Sequence, residues 1–493
     1  MLHVGSTIVL ARLLVPEDFG LVAMASVIIA FVAAFKDAGL AMATVQRENI
    51  TREQISTLFW LNLALTVCLG AVIVSLAPGV AWFYGRPELL GITIVLGLVF
   101  AVSGLSIQHE ALLRRHMRFG TLAMIRVGAG VAGITVAITM ALAGFGYWAL
   151  VASQVVSVPI STLAACLACG WIPGLPGRGT GVRGMLQFGG LLASRNILGQ
   201  VFKRFDDLII GWQLGATPLG LYSKAYSLLR LPMDQIQGPI AQVAAPALSR
   251  LIGDAECFRS AYLRMVSFLV LIKIGIVAFL VAAAENVILF VLGEQWISSA
   301  TVYRLLGGSA LVGAITAGTG LLLIPFGRPG KMLVVAIVTS LLLLPGMVIG
   351  LNWGIVGVAA AVSIVPIITV VPRLLYVCHG TPVHASDFWR MSWRPLAAAL
   401  PAGFAVHLIQ ELLPASVPVA VTLLLQVCLF GGLYIGTLSV LPGGRGVLGE
   451  CLTRVRQLLG KSTSTAPQLP QSTRAEFPLP TTPVEPPADV GTR

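Results

Sequence analysis

The stretch LVAMASVIIAFVAAFKDAGLAMATV, Leu21 to Val45, decides what kind of protein this is. It exceeds the roughly twenty apolar residues needed to cross a bilayer, yet it holds Lys36 and Asp37 side by side. A charge at hydrocarbon depth costs about 2.5–3.5 kcal/mol or more, so it faces protein or water rather than lipid. Neighbours on a helix point about 100° apart, so these two cannot simply neutralise each other and each needs another partner. The same pattern, a charge inside an oily segment, recurs at Arg126, Arg195, Lys203, Asp207, Lys224, Arg230, Asp234, Lys273 and Arg304.

Outward from that stretch the chain is a series of similar segments. A short one spans Met1 to Leu14, fewer residues than a bilayer requires, so a truncated first helix or a start further upstream is expected. After 21–45 come 55–77, 89–108, 119–142 and 146–169, then a Pro/Gly-rich connector over 171–184. Eight more follow at 185–214, 219–245, 262–284, 299–325, 332–350, 354–377, 395–413 and 417–441. The expected fold is an all-α polytopic membrane protein of about fourteen transmembrane helices. Its parts are a six-helix bundle over 1–172, a linker at 173–184, a second six-helix bundle over 185–378 and two added helices within 390–442. The Pro-rich stretch 443–493 forms a cytoplasmic tail, disordered from Ser462.

Composition agrees. Of 493 residues 57% are hydrophobic and 11% charged, against about 25% charged in soluble domains. The net charge of +12 sits in short loops, with no soluble domain to carry a nucleic-acid-binding face. Arg47, Arg52, Arg114, Arg115, Arg118, Arg178, Arg183, Arg250, Arg259, Arg264, Arg328, Lys331, Arg373, Arg390 and Arg394 fall in every second loop. The intervening loops hold Arg12 and Arg86 beside Glu17, Asp18, Glu88, Glu285, Glu294 and Glu411. That alternation places the basic loops and both termini in the cytoplasm. Cys166 and Cys169 form a C-x-x-C without a second pair, which reads as helix packing rather than metal or redox chemistry.

An internal repeat is present. Phe19-Gly20-Leu21 after Pro16 matches Leu219-Gly220-Leu221 after Pro218, and Gly146 to Ala152 parallels Gly354 to Ala360, each about 200 residues apart. Repeats of this kind relate two bundles around a central site. In the seventh segment Asn196, Gln200, Lys203 and Asp207 share one helical face; in the eighth so do Ser223, Ser227, Arg230, Asp234 and Gln237, with Pro232 among them. Two readings stand: a hydrated groove shared by both helices, or i,i+4 pairs (Lys203–Asp207, Arg230–Asp234) that fasten helices together. Arg195, Lys224 and Arg304 lie near helix ends, where snorkelling competes with a cavity role; Arg126 and Lys273 lie deep enough to line a cavity. The excess of cations favours a diphosphate or acidic sugar as cargo.

Leu13 to Leu21 followed by Asp37-Ala38-Gly39-Leu40 resembles the opening of the polysaccharide-transporter family of bacterial flippases. So do Asp206 to Gly211 running into Leu219 to Tyr226, the run from Leu231-Pro232 to Arg250, Gly293 to Trp296 and Phe326 to Gly330. The resemblance covers roughly residues 8 to 440, and the start departs from it, since the family has a full first helix. It implies a fold like that of multidrug (MATE) exporters within the multidrug/oligosaccharidyl-lipid/polysaccharide superfamily, in the bacterial inner membrane. The implied activity is flipping undecaprenyl-diphosphate-linked oligosaccharide for O-antigen, capsule or exopolysaccharide, with no catalysis and no cofactor beyond a coupling H+ or Na+. Implied partners are the lipid-linked sugar, membrane lipids, a polysaccharide polymerase and a chain-length regulator. Glu17, Gly20, Asp37, Asp207, Gly220, Tyr222, Tyr226 and Pro232 carry over as family signature. Asp37, Asp207 and Asp234 are the carboxylates available to a coupling ion. Three rivals remain: a multidrug antiporter with an acidic cavity, a membrane polymerase or ligase with a large outward catalytic loop, and a passive scaffold.

Overall fold

A computed structural model describes residues 2–36, 44, 45, 50–177, 204–414 and 417–442, with 444, 446 and 449. Asp37, Arg195, Asn196, Gln200, Lys203, most of the linker at 173–184, most of the seventh segment and nearly all of the tail lie outside them. The described residues are helical with short connections. The first six helices are α1 Leu2–Leu13, α2 Pro16–Lys36, α3 Arg52–Tyr84, α4 Glu88–Arg115, α5 Phe119–Leu142 and α6 Tyr147–Cys169. Then come α7 Phe205–Leu214, α8 Ala216–Ser249, α9 Ala255–Ala282, α10 Ala284–Val291, α11 Ser299–Ile315 and α12 Thr319–Leu323. The last four are α13 Pro329–Gly350, α14 Gly354–Cys378, α15 Ala385–Leu412 and α16 Val419–Val440.

Local chemistry sets the boundaries. Thr51 and Gln54 form a capping box at the start of α3, each side chain accepting from the other's backbone N–H at 3.2 Å. Asp254 accepts from the N–H groups of Glu256 and Cys257, both at 3.0 Å, to open α9. Ten stretches among the described residues are long and apolar enough to span a membrane, one of them, Gly330–Cys378, holding both α13 and α14. The segment expected at 299–325 is instead broken between α11 and α12. α8 runs through Pro232 as one helix.

The two repeat motifs touch. α2 packs against α8, and their first turns cross at Gly20 and Gly220. A Cβ on Gly20 would stand 1.8 Å from the Ala216 carbonyl oxygen; one on Gly220 would stand 1.9 Å from that of Pro16. Only glycine permits such an approach. Pro16 corresponds to Ala216 and Gly20 to Gly220 at a spacing of 200, so the crossing is two-fold symmetric about itself. Around it Leu21, Met24, Tyr222, Trp296 and Tyr303 form one buried core. α1 joins the same end: Ala11 O accepts from Trp296 Nε1 at 2.7 Å and from Gln295 Nε2 at 2.6 Å.

The loop charges segregate to match. At the end of the crossing, Arg86 pairs with Glu17 at 3.1 Å and Arg12 donates to Phe290 O at 2.5 Å. Basic-loop residues meet one another's segments elsewhere: Arg118 donates to Ala168 O at 3.0 Å, Arg328 to Gly380 O at 2.9 Å, and Arg259 forks onto Asp387 at 2.8 Å.

Candidate functional site

The polar stripe of α8 opens onto a cavity of about 380 Å³. Tyr226, Arg230, Asp234 and Gln237 line it from α8, Lys273 from α9 and Ser309 from α11, against an apolar backing from α13 and α14. Their spacing on α8 follows from the helical period, which puts every third or fourth side chain on one face. Arg230 Nε donates to Asp234 Oδ2 at 3.2 Å, and an Arg230 guanidinium nitrogen lies 3.4 Å from the Tyr226 hydroxyl. Lys273, only 3% exposed, donates to Gln237 Oε1 at 2.5 Å, and Gln237 Nε2 reaches Ala317 O at 3.5 Å. Arg230 and Asp234 are thus an i,i+4 pair within α8 and also line a cavity, while Asn196, Gln200 and Lys203 of the other stripe lie outside the described residues. Two cations face one carboxylate there, and the contact of Lys273 is an amide rather than an acid, so the cavity keeps an excess positive charge suited to an anion.

The cavity lies among C-terminal helices. Among the described residues none from α1 to α6 lines it, so of Arg126 and Lys273, the two expected to line a cavity, only Lys273 is found at this one. Lys36 donates to Ser103 Oγ at 2.6 Å and lies 5.1 Å from the Phe100 ring, between α2 and α4. Arg126 is 64% exposed and pairs with Glu110 of α4 at 3.3 Å, a carboxylate that also takes Arg114 at 2.9 Å. Arg304 pairs at 2.8 Å with Glu285, which accepts from Gln410 as well. Neither Arg126 nor Arg304 has an acid three or four residues away, and each finds its partner on another helix. Lys224 lies 3.9 Å from the centroid of the Phe19 ring, a cation–π contact joining α8 to α2.

Asp207 is buried and accepts from Arg204 at 3.0 Å. Its neighbour Asp206, absent from the expected site, is also buried and accepts from the Tyr222 hydroxyl at 2.9 Å. Of the three carboxylates proposed for a coupling ion, Asp234 lines the cavity, Asp207 is tied to Arg204 and Asp37 lies outside the described residues. Ser309 was missed, and Tyr226, named only as a family signature, was not placed at the site although it stands four residues before Arg230 on the same stripe. Cys166 Sγ lies 3.7 Å from His109 Nδ1, which in turn contacts Leu105 O at 2.8 Å. Among the described residues no group of three or more metal-ligating side chains gathers.

Comparison with known proteins places this geometry in context. A family model described as "Polysaccharide biosynthesis protein" matches residues 9–301. Lipopolysaccharide biosynthesis protein WzxC of Escherichia coli (strain K12) is 27% identical over 403 residues, 80% of this chain and 81% of that protein. The fold is similar to that of lipid II flippase MurJ in its inward closed conformation, with a TM-score of 0.68 at 14% identity over 89% of this chain and 96% of that one. It is also similar to an inward-facing multidrug resistance MATE family transporter of the MOP superfamily, with a TM-score of 0.63 at 17% identity over 79% and 95% of the two chains. The architecture is thus the MATE-like one, all-α and polytopic.

Proposed function

The chain belongs to the polysaccharide biosynthesis protein family, and from that premise we propose that it flips undecaprenyl-diphosphate-linked oligosaccharide across the bacterial inner membrane. The cargo is a repeat unit of O-antigen, capsule or exopolysaccharide. The observation that carries the reading is the cavity holding Arg230 and Lys273 against one carboxylate, within helices otherwise apolar. Diphosphate oxygens pair with such cations, while the prenyl tail remains in lipid. In this reading these residues bind and release the cargo and make or break no bond.

In this reading fourteen helices form two six-helix bundles, 1–172 and 185–378, joined at 173–184, with two helices added within 390–442. Both termini are cytoplasmic. The end at which Gly20 and Gly220 cross is then the periplasmic one, sealed by helix contact, so the conformation is shut outward. Parting of α2 from α8 opens it, and Asp234 is the carboxylate placed to take a coupling proton or sodium ion. A polymerase and a chain-length regulator receive the cargo.

In cells lacking the endogenous transporter, Arg230→Ala and Lys273→Ala should each abolish surface polysaccharide at unchanged protein level. Normal polysaccharide in both strains removes the cavity from the pathway. A multidrug antiporter of the same fold is the rival that the MATE likeness keeps open. Drug resistance conferred by the wild-type chain, without any effect on polysaccharide, selects that rival instead.

A further inference from the structure

A second cationic site lies on the other side of α9. Leu271 and Gly275 are each two positions from Lys273, a rotation of about 200°, and so face away from the Arg230–Lys273 cavity. There a pocket of about 300 Å³ holds Arg259, Asp387, Arg390 and Arg394. It adjoins an apolar groove of about 460 Å³ between α9 and α16, since Leu271 and Leu438 line both. The groove is floored by Phe268, Phe279 and Phe430 and bounded by Tyr434, whose hydroxyl donates to Leu271 O at 2.9 Å.

The charges in the pocket are not equivalent. Arg259 is answered by Asp387, its guanidinium forked onto the carboxylate at 2.8 and 3.3 Å. Arg390 and Arg394 form no ion pair among the described residues, and Arg394 Nε is buried without a hydrogen-bond partner. A buried donor left unpaired is costly, and an arginine beside it adds uncompensated charge. Both arginines stand early in α15, roughly 8 and 14 Å along the helix from Ala385. Arg259 and Arg328 mark that end as the basic one, where anionic lipid headgroups of the cytoplasmic leaflet gather. A cationic head pocket continuous with an apolar channel is complementary to one kind of molecule.

We infer that this groove holds an anionic glycerophospholipid, its phosphodiester on Arg390 and Arg394 and an acyl chain along α9 and α16. The site is separate from the transport cavity and stands whatever the cargo is. It adds a lipid to the direct contacts that already join α15 and α16 to α9.

The test is native mass spectrometry of the purified full-length protein titrated with phosphatidylglycerol or phosphatidylcholine. Wild-type protein should retain phosphatidylglycerol about tenfold more tightly, in keeping with two basic contacts at the membrane surface. Arg390→Gln with Arg394→Gln should erase that preference. Gly431→Leu is the second arm. A Cβ at Gly431 meets nothing within 4 Å, so its side chain extends into the groove; it should weaken retention of both lipids with the arginines intact. An unchanged preference in the arginine variant overturns the site, as does unchanged retention in Gly431→Leu. Equimolar polyprenyl diphosphate displacing phosphatidylglycerol from wild type overturns it too, by making the groove part of the cargo's path.

Discussion

In the N-terminal helices a cation ends on a partner that a neighbouring helix supplies: Lys36 on Ser103, Arg126 on Glu110. In α8 and α9 the cations Arg230 and Lys273 line a cavity, Arg230 on Asp234 of its own helix and Lys273 on the amide of Gln237. The backbone repeat is close to symmetric where α2 meets α8, but the charge is not. A cation that lines no cavity braces the helices it joins, whereas one that lines a cavity stays within reach of phosphate. Under the proposed function cargo binding falls to α8 and α9, while Lys36 and Arg126 brace N-terminal helices as Arg304 braces α10 and α11.

Three experiments break or sharpen that contrast. The largest effect is expected at the shared crossing: Gly220→Leu or Gly20→Leu forces side-chain atoms into a backbone carbonyl under 2 Å away. Overpacking of this kind costs about 1–3 kcal/mol or more, and it should lower the melting temperature of the purified protein and eliminate surface polysaccharide together. Gly128→Leu, with nothing within 4 Å of its Cβ, should change neither. A crossing that tolerates leucine would mean the helices part freely there.

The next effect separates the halves directly. Lys273→Met removes a buried charge that no acid among the described residues answers, leaving no carboxylate stranded, and should eliminate export without lowering the melting temperature. Lys36→Met should keep export and loosen α2 from α4 instead. Matched export losses in both variants would dissolve the contrast. The smallest effects belong to the paired arginines. Arg304→Ala should cost about 1 kcal/mol or less in stability with export retained, and Arg126→Ala less still, because Glu110 keeps Arg114. Melting curves and polysaccharide yield measure both.

Much of the fold was legible because it is written in local terms. Apolar length gives most spans to within a few residues, as at 119–142, which matches α5 Phe119–Leu142. The spacing of 200 between the repeat glycines was also visible, but not that they meet, since contact between motifs is a property of the folded chain. The stripe from Ser223 to Gln237 lies on one helix and so was readable as a face. Partners of the cations were not: Glu110 stands 16 residues before Arg126, Glu285 stands 19 before Arg304 and Asp387 stands 128 after Arg259. A search three or four residues away finds pairs on one helix and misses those between helices. The break between α11 and α12 escaped for a related reason, as hydropathy averages over a segment without registering where its hydrogen-bond ladder stops.

The glycine crossing has a consequence for assembly. Each motif presents to the other the surface it receives, the self-complementary arrangement of a two-fold homodimer. Such a surface recognises its counterpart without a covalent tether. The joint between α2 and α8 is backbone against backbone, and its two sides share one requirement, a residue without a Cβ.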